Sequence, residues 1–156
     1  FFFKPKTPYD ILSGLVGSEM CIRDSTVMFP IYPRLWSDQE YREDAEKLLS
    51  YCENNDVGVQ VIKSIAREPW GANIPSHRCW YKPETEEHLI DQGVRFALSS
   101  PGVTAIASVG DLTLLPAVLK AAENFSPMNE MERSKAIQDS SDNQIIFPIS
   151  EHFRRD

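Results

Sequence analysis

Apolar and polar residues repeat with two different periods between Thr26 and Asn124, and the two periods alternate along the chain. Short apolar runs rich in β-branched residues predict strands, and apolar stripes recurring every three to four residues predict helices. The resulting order is strand, helix, strand, helix, strand, helix, which is typical of a parallel sheet crossed by helices. The three predicted strands are Thr26 to Pro30, Val59 to Ala66 and Val103 to Ala107.

Two amphipathic helices are predicted between these strands. Ser37, with Glu40 three residues later, fits a capping box at the start of the first. The second runs from Glu84 to Ser99. The buried stripes are predicted to be Tyr41, Ala45, Leu48, Leu49 and Cys52 in the first helix, and Leu89, Ile90, Gly93, Phe96 and Ala97 in the second.

The third helix follows a small-residue turn after the last strand. Asp111 is a residue type that favours the N-cap position, whereas Pro116 should interrupt the first hydrogen bonds of a helix. Either residues 112–115 form a separate tight turn, or the helix begins near Pro116. Beyond it, a short helix is predicted from Asn129 to Ile137, and a loop from Asp139 to Gln144.

A strand that enters a helix through a glycine-containing turn leaves backbone N–H groups free at the helix start. Such groups, with the positive end of the helix dipole, favour an anion. The turn after the third strand predicts such a site, and Lys63 and Ser64 lie near the end of the second strand, where α/β folds place ligands. The turn consists of Ser108, Val109, Gly110 and Asp111.

The composition and net charge of the chain argue against several classes of binding partner. The chain has 156 residues, enough for one domain, and a net charge of −7 without a cluster of Lys or Arg, which argues against nucleic-acid binding. Its apolar runs are far shorter than a membrane span. Three cysteines, Cys21, Cys52 and Cys79, are an odd number at irregular spacing and predict reduced thiols in a cytoplasmic protein.

A long connection from Arg67 to Pro83 contains three aromatic residues and no predicted regular structure. Connections of this length are uncommon in compact domains and often form lids or binding loops. His77 and Cys79 lie two residues apart, but no second pair completes a metal-ligand spacing, so no metal site is predicted.

The first 25 residues lack any helical or strand period. The segments FFFKPKT and GLVGSEMCIRDS resemble translated sequencing-adapter read-through at the ends of metagenomic gene models. We therefore expect Phe1 to Ser25 to be a non-native, disordered leader; a divergent natural arm is the alternative. The organisation expected is a leader at 1–25, a domain at 26–139 and a C-terminal tail at 140–156.

From about Thr26 to Glu130 the chain resembles the C-terminal part of an aldo/keto reductase. The resemblance is carried by GVQVIKSIAREPW, followed by WYKPETEEHLIDQGVRFALSSPGVTAIASVGDLTLLPAVLKAAENF. It implies an α/β fold that is part of a (β/α)8 TIM barrel, with the strands near Val27, Val61 and Ile106 as strands six, seven and eight. It also implies an NAD(P)H-dependent oxidoreductase that reduces aldehydes or ketones, in a mostly cytosolic family.

The resemblance implies that the loops after strands seven and eight bind the pyrophosphate and adenosine end of NADPH. The positions concerned are Ser64, Ile65 and Ala66 in one loop, and Ser108, Val109, Gly110 and Asp111 in the other. Ser64 and Ala66 are expected along the pyrophosphate, and the second loop at the adenosine end.

The choice between NADP and NAD stays open. Many members of the family have an arginine in the second loop where this chain has Gly110, and the neighbouring Asp111 would repel a phosphate. Lys63 or Arg67 is expected to supply the positive charge in place of that arginine.

Two aromatic residues near the first strand, Phe29 and Tyr32, are candidates to stack on the nicotinamide or simply to pack. The segment from Trp70 to Tyr81 is the expected contact for a small-molecule carbonyl substrate.

No catalytic residue is predicted in this chain. The Asp, Tyr, Lys and His that act in the family belong to the first half of the barrel, upstream of Thr26, and Tyr9 and Asp10 in the leader are not these residues. A complete barrel needs about 250 residues, so we expect an inactive fragment with an exposed strand edge. The alternative is a small, non-catalytic α/β module that binds a nucleotide or phosphate.

Overall fold

Three parallel strands and five helices form the mixed α/β fold of residues 26–147, the part of the chain that this computed structural model describes. The leader predicted at 1–25 and the last nine residues of the predicted tail lie outside the described residues. In chain order the elements are β1 Thr26–Pro30, α1 Pro33–Trp36, α2 Gln39–Asn54, β2 Gly58–Ile62, β3 Ala66–Pro69, β4 Tyr81–Pro83, α3 Glu87–Leu98, β5 Val103–Ile106, α4 Leu115–Glu123 and α5 Glu130–Asp139.

The parallel sheet has the strand order β1-β2-β5. Phe29 is paired with Val61, and Val61 with Ile106, so the carboxyl ends of all three strands lie at the same edge. The register shifts between Val59 and Gln60, where the hydroxyl of Thr104 donates to the Val59 carbonyl oxygen at 2.8 Å. The predicted parallel order is confirmed, and no closed barrel exists within residues 26–147.

Helix α2 begins one residue later than the predicted capping box. Asp38 is its N-cap, and the Asp38 carboxylate accepts from the Tyr41 amide at 3.0 Å. Ser37 is instead the C-cap of the short helix α1, which was not predicted. Pro33 lies in the first turn of α1, where a missing N–H costs no helical hydrogen bond. The predicted buried stripe of α2 is confirmed.

The second strand is shorter than predicted, and the connection after it is more regular. Strand β2 ends at Ile62, and Lys63 adopts a left-handed conformation with φ of 63°. The Ala66 amide donates to the Lys63 carbonyl at 2.9 Å, which closes a turn. Ala66 then begins β3, which pairs antiparallel with β4, so the predicted absence of regular structure from Arg67 to Pro83 is wrong.

Helix α3 packs against this turn through Gly93. A Cβ atom on Gly93 would stand 2.4 Å from the Ser64 carbonyl oxygen and 3.5 Å from the Ile65 Cα, so only glycine allows this approach. The predicted buried face of α3 is confirmed for Ile90, Gly93, Phe96 and Ala97. Val94 is also buried, whereas Leu89 is only half-buried.

The hydrophobic core has two parts. The larger part lies between the sheet and helices α1, α2, α3 and α5. The smaller lies between α3 and α4 and comprises Ile65, Ile90, Val94, Leu114, Val118 and Ala121.

The C-terminal residues that the structure describes pack against the larger core. A capping box joins Asn129 and Glu132 at the start of α5, close to the helix start predicted there. After α5, Ile146 is buried, and its amide donates to the Tyr32 hydroxyl at 3.2 Å. The first half of the predicted tail is therefore part of the domain.

Candidate functional site

The turns after β2 and β5 begin at one edge of the sheet. The two strands are neighbours, and the Ala107 amide donates to the Val61 carbonyl at 2.8 Å, which continues the pairing one residue beyond β5. In an open α/β sheet, this carboxyl edge is where ligands bind. The two sequence segments expected to form a cofactor site therefore begin on adjacent strands.

The turn after β5 exposes backbone donors. Ser108 and Gly110 are exposed and Val109 is half-buried. Within the described residues, no acceptor receives a hydrogen bond from the amides of these three residues. Free N–H groups attract anions where the backbone turns so that they converge.

Asp111 is directed into the protein. Its carboxylate accepts from the Thr113 amide at 2.8 Å, from the Thr113 hydroxyl and from the Arg78 amide at 2.7 Å. These hydrogen bonds, first of all the one from the Thr113 hydroxyl, lower the pKa of Asp111 to about 2, so the side chain is ionised at neutral pH. It joins the turn after β5 to the β3–β4 connection.

Asp111 was predicted to be the N-cap of α4, and this prediction is wrong. The N-cap is Leu114, and the Leu114 amide donates to the Asp111 carbonyl at 3.2 Å. Pro116 lies in the first turn of the helix. Both alternatives considered from the sequence are therefore realised, because a tight turn precedes a helix that begins next to Pro116.

The turn after β2 is covered by other parts of the chain. Ser64, Ile65 and Ala66 are all buried. The Ile65 carbonyl accepts from the Glu84 amide at 2.8 Å, and the Ala66 amide is used within the turn. The expected contacts of Ser64 and Ala66 with a pyrophosphate stay a prediction, and the donors exposed at this edge belong to the other turn.

The two candidate cations lie in different surroundings. The Lys63 ammonium lies 5.0 Å from the ring centroids of both Trp80 and Phe147, and burial lowers the pKa of Lys63. The Arg67 Nε is 3.9 Å from the Glu68 carboxylate and has no hydrogen-bond partner in the described part of the chain.

Phe29 and Tyr32, the candidates to stack on a nicotinamide, are both completely buried in the larger core. Burial also raises the pKa of Tyr32 well above its ordinary value. Neither ring is open to a ligand in this structure, and packing is the role that the geometry supports.

The β3–β4 connection, the expected substrate contact, is organised by its aromatic residues. The Trp70 indole N–H donates to the Cys79 carbonyl at 2.8 Å. Trp80 is 60% exposed and packs edge-on against Tyr81 with 5.4 Å between centroids. Sequence reasoning missed the contact of Trp80 with Phe147, because nothing in the sequence indicates that residues so far apart meet.

A cavity of about 560 Å³ lies away from these turns. Ser99 and Pro101, which precede β5, line it together with Trp36, Leu49 and Arg133. The cavity therefore lies towards the amino end of β5, and it does not coincide with the predicted site.

Comparisons of the chain with protein-family models, with curated proteins and with solved structures returned no match. Residues 26–147 contain no helix with the length and apolar character that a bilayer span requires. Within the same residues, no three His, Cys, Asp or Glu side chains are grouped as a metal site requires.

Proposed function

We propose that this chain carries part of the cofactor site of an NAD(P)H-dependent aldo/keto reductase, as strands six to eight of a (β/α)8 barrel. The observation that carries the proposal is the set of three free amides at Ser108, Val109 and Gly110, at the carboxyl edge of parallel strands. An active site at the carboxyl end of the strands, with a phosphate site after the last two, is the arrangement that such barrels use.

In the proposed site, the amides of the turn after β5 donate hydrogen bonds to a phosphate of the dinucleotide. The donors of this turn are exposed, and the Asp111 carboxylate does not occupy them because it accepts hydrogen bonds from Thr113 and Arg78. When bound, the reduced nicotinamide supplies the hydride for reduction of an aldehyde or ketone. The described residues bind the cofactor in this proposed site and take no catalytic step.

The charge of the ionised Asp111 affects whether NAD or NADP is the preferred cofactor. A fixed negative charge next to the turn disfavours an additional phosphate, such as the one that distinguishes NADP from NAD. We therefore include NAD in the proposal and expect NADH to bind at least as tightly as NADPH.

Isothermal titration of the complete chain with NADPH, NADH and inorganic pyrophosphate tests the proposal. The informative variant is Gly110→Asp, which adds a carboxylate beside the free amides. Position 110 tolerates a side chain, because a Cβ there meets only the Arg78 carbonyl oxygen at 3.7 Å. We expect the Kd for NADH to rise at least about tenfold, which corresponds to ~1.4 kcal/mol.

Gly110→Asn is the matched control, because it has nearly the same shape without the charge, and its Kd should stay within about twofold of the wild type. Cooperative urea unfolding establishes that each protein is folded. A folded chain that binds neither nucleotide, or an equal Kd for the Asp and Asn variants, contradicts the proposal. Equal affinity for pyrophosphate and for both nucleotides favours the non-catalytic phosphate-binding module, since the free amides recognise phosphate alone.

A further inference from the structure

Charged side chains of both signs line the cavity that lies towards the amino end of β5. The volume of this cavity, about 560 Å³, is within the range of roughly 300–1,000 Å³ that small-molecule sites occupy. Helices α2 and α5 supply most of its wall. Their charged residues in this wall are Arg42, Glu46 and Glu53 from α2, and Glu130 and Arg133 from α5.

None of these five charged groups forms an ion pair with another residue of 26–147. Arg42 and Glu46 are four residues apart, and Glu130 and Arg133 are three apart, which are spacings at which helical ion pairs form. Outside the cavity, the same two helices do form ion pairs at these spacings: Asp44 with Lys47, and Lys135 with Asp139. The charges in the cavity wall are therefore open to a ligand.

The guanidinium of Arg133 is held in place by α3. Its Cζ lies 4.2 Å from the Phe96 ring centroid, and it donates to the Phe96 carbonyl at 2.9 Å and to the Ser100 hydroxyl at 3.4 Å. Its other three N–H groups have no acceptor in the described part of the chain. Burial lowers the pKa of Arg133, and the carboxylates of Glu130 and Glu46 oppose this shift, so both carboxylates lie near the guanidinium.

Apolar side chains form another part of the cavity wall. Trp36 and Leu49 are buried, and Met128 and Ile137 are half-buried against the larger core. A ligand of this cavity therefore meets an apolar surface beside unpaired charges of both signs.

We propose that the cavity binds a free α-amino acid with a large apolar side chain. A ligand with a single charge would face like charges in the wall, whereas a zwitterion compensates both signs. Its carboxylate accepts hydrogen bonds from Arg133, and its ammonium, one carbon away, donates to Glu46 and Glu130. Its side chain packs against Met128 and Ile137.

Isothermal titration of the complete chain with L-phenylalanine, with no nucleotide present, tests the proposal. We expect a Kd below about 1 mM. N-acetyl-L-phenylalanine lacks the ammonium and L-phenylalaninamide lacks the carboxylate, so each should bind at least about tenfold more weakly. Glycine lacks the apolar side chain and should also bind more weakly. A folded chain that does not bind L-phenylalanine, or an equal Kd for the three aromatic compounds, overturns the proposal.

Glu46→Gln distinguishes a contact with the ligand from a structural role. The Kd for L-phenylalanine should rise at least about threefold, whereas the Kd for N-acetyl-L-phenylalanine should not rise, because that compound has no ammonium. Glu123→Gln is the matched control, since it removes the same charge from an exposed position on α4, and its Kd should be unchanged. An equal rise for both compounds, or none for either, in folded Glu46→Gln overturns the role assigned to this carboxylate.

The test is independent of the cofactor proposal. The turns expected to bind the nucleotide lie at the carboxyl end of the strands, and the cavity lies towards the amino end of β5. Glu46→Gln should therefore leave the Kd for NADH unchanged. A chain that binds L-phenylalanine without binding NADH would contradict the cofactor proposal alone.

Discussion

Gly93 and Ser64 approach one another so closely that no larger residue fits at position 93 without movement of the backbone. A Cβ on Gly93 would be 2.4 Å from the Ser64 carbonyl oxygen and 3.3 Å from its carbonyl carbon. This contact fixes α3 against the turn after β2, and thus determines how deeply that turn lies beneath the helix.

Gly93→Ala should therefore destabilise the protein. The forced shift costs about 1–3 kcal/mol, and the better helix propensity of alanine recovers at most about 1 kcal/mol. Urea denaturation measures the difference in the free energy of unfolding. Gly110→Ala is the control, since its Cβ meets one atom at an ordinary 3.7 Å, and it should change stability by less than about 0.5 kcal/mol. Equal stability of the two variants would show that the close approach does not constrain α3.

Asp111→Ala should loosen the connection between β3 and β4, because it removes the acceptor for the Arg78 amide and for Thr113. The pKa of Asp111 is lowered to about 2 in the folded protein, against an ordinary value near 3.8. The contribution of the carboxylate to stability is therefore complete above about pH 4 and is lost as the pH falls towards 2.

Thermal unfolding of wild type and Asp111→Ala at several pH values measures this contribution. The difference in Tm should be largest at pH 5–7 and should shrink between about pH 4 and pH 2. Thr113→Val is the matched variant, because it removes one donor and keeps the carboxylate, so its effect should be smaller. A difference in Tm that is constant down to pH 2 would exclude a role for the ionised carboxylate.

The sequence pattern predicted the parallel sheet because short apolar runs rich in β-branched residues alternate with helical stretches, although burial alternates along β2 and β5 is partly exposed. Phe29 and Val61 belong to such runs, and both are completely buried. The ends of the strands were predicted less accurately. Residues 59–66 were predicted as one strand, but the left-handed Lys63 ends it, and no sequence signal marks a lysine for that conformation.

The local geometry around the candidate site was predicted only in part, for a related reason. The exposed turn after β5 follows from local chemistry, since small residues between a strand and a helix leave amides free. The inward direction of Asp111 depends on Arg78, 33 residues away, and the contact of Trp80 with Phe147 spans an even longer separation. Interactions of this kind are set by tertiary packing, which hydrophobic periodicity does not encode.

Tyr32→Phe should weaken folding while nucleotide affinity stays unchanged. The Tyr32 hydroxyl accepts from the Ile146 amide at 3.2 Å within the core, so its removal leaves a buried donor unsatisfied at a cost of about 1–3 kcal/mol. Urea denaturation and titration with NADH measure the two quantities. Tyr51→Phe changes a partly exposed side chain and should have almost no effect on either. Loss of NADH binding in folded Tyr32→Phe would restore a ligand role for this ring.

Alkaline pH should destabilise the protein through its buried tyrosines. Burial raises the pKa of Tyr32, Tyr41 and Tyr81 above the ordinary value of 10.0. The unfolded chain therefore loses these protons first, so stability is complete below about pH 10 and falls as the pH rises further. Urea denaturation between pH 8 and 11 measures this fall, and it should be smaller in Tyr41→Phe than in Tyr51→Phe.

Arg133→Lys should partly release α5 from α3. The guanidinium lies 4.2 Å from the Phe96 ring centroid and donates to the Phe96 carbonyl at 2.9 Å, and a lysine ammonium cannot make the planar stack. We expect a loss of about 1–3 kcal/mol from the stack and the hydrogen bond together. Lys135→Ala removes only an exposed ion pair with Asp139 from the same helix and should cost less than about 0.5 kcal/mol. If urea denaturation gave equal losses for the two variants, the packing of α5 would depend on its apolar face and not on Arg133.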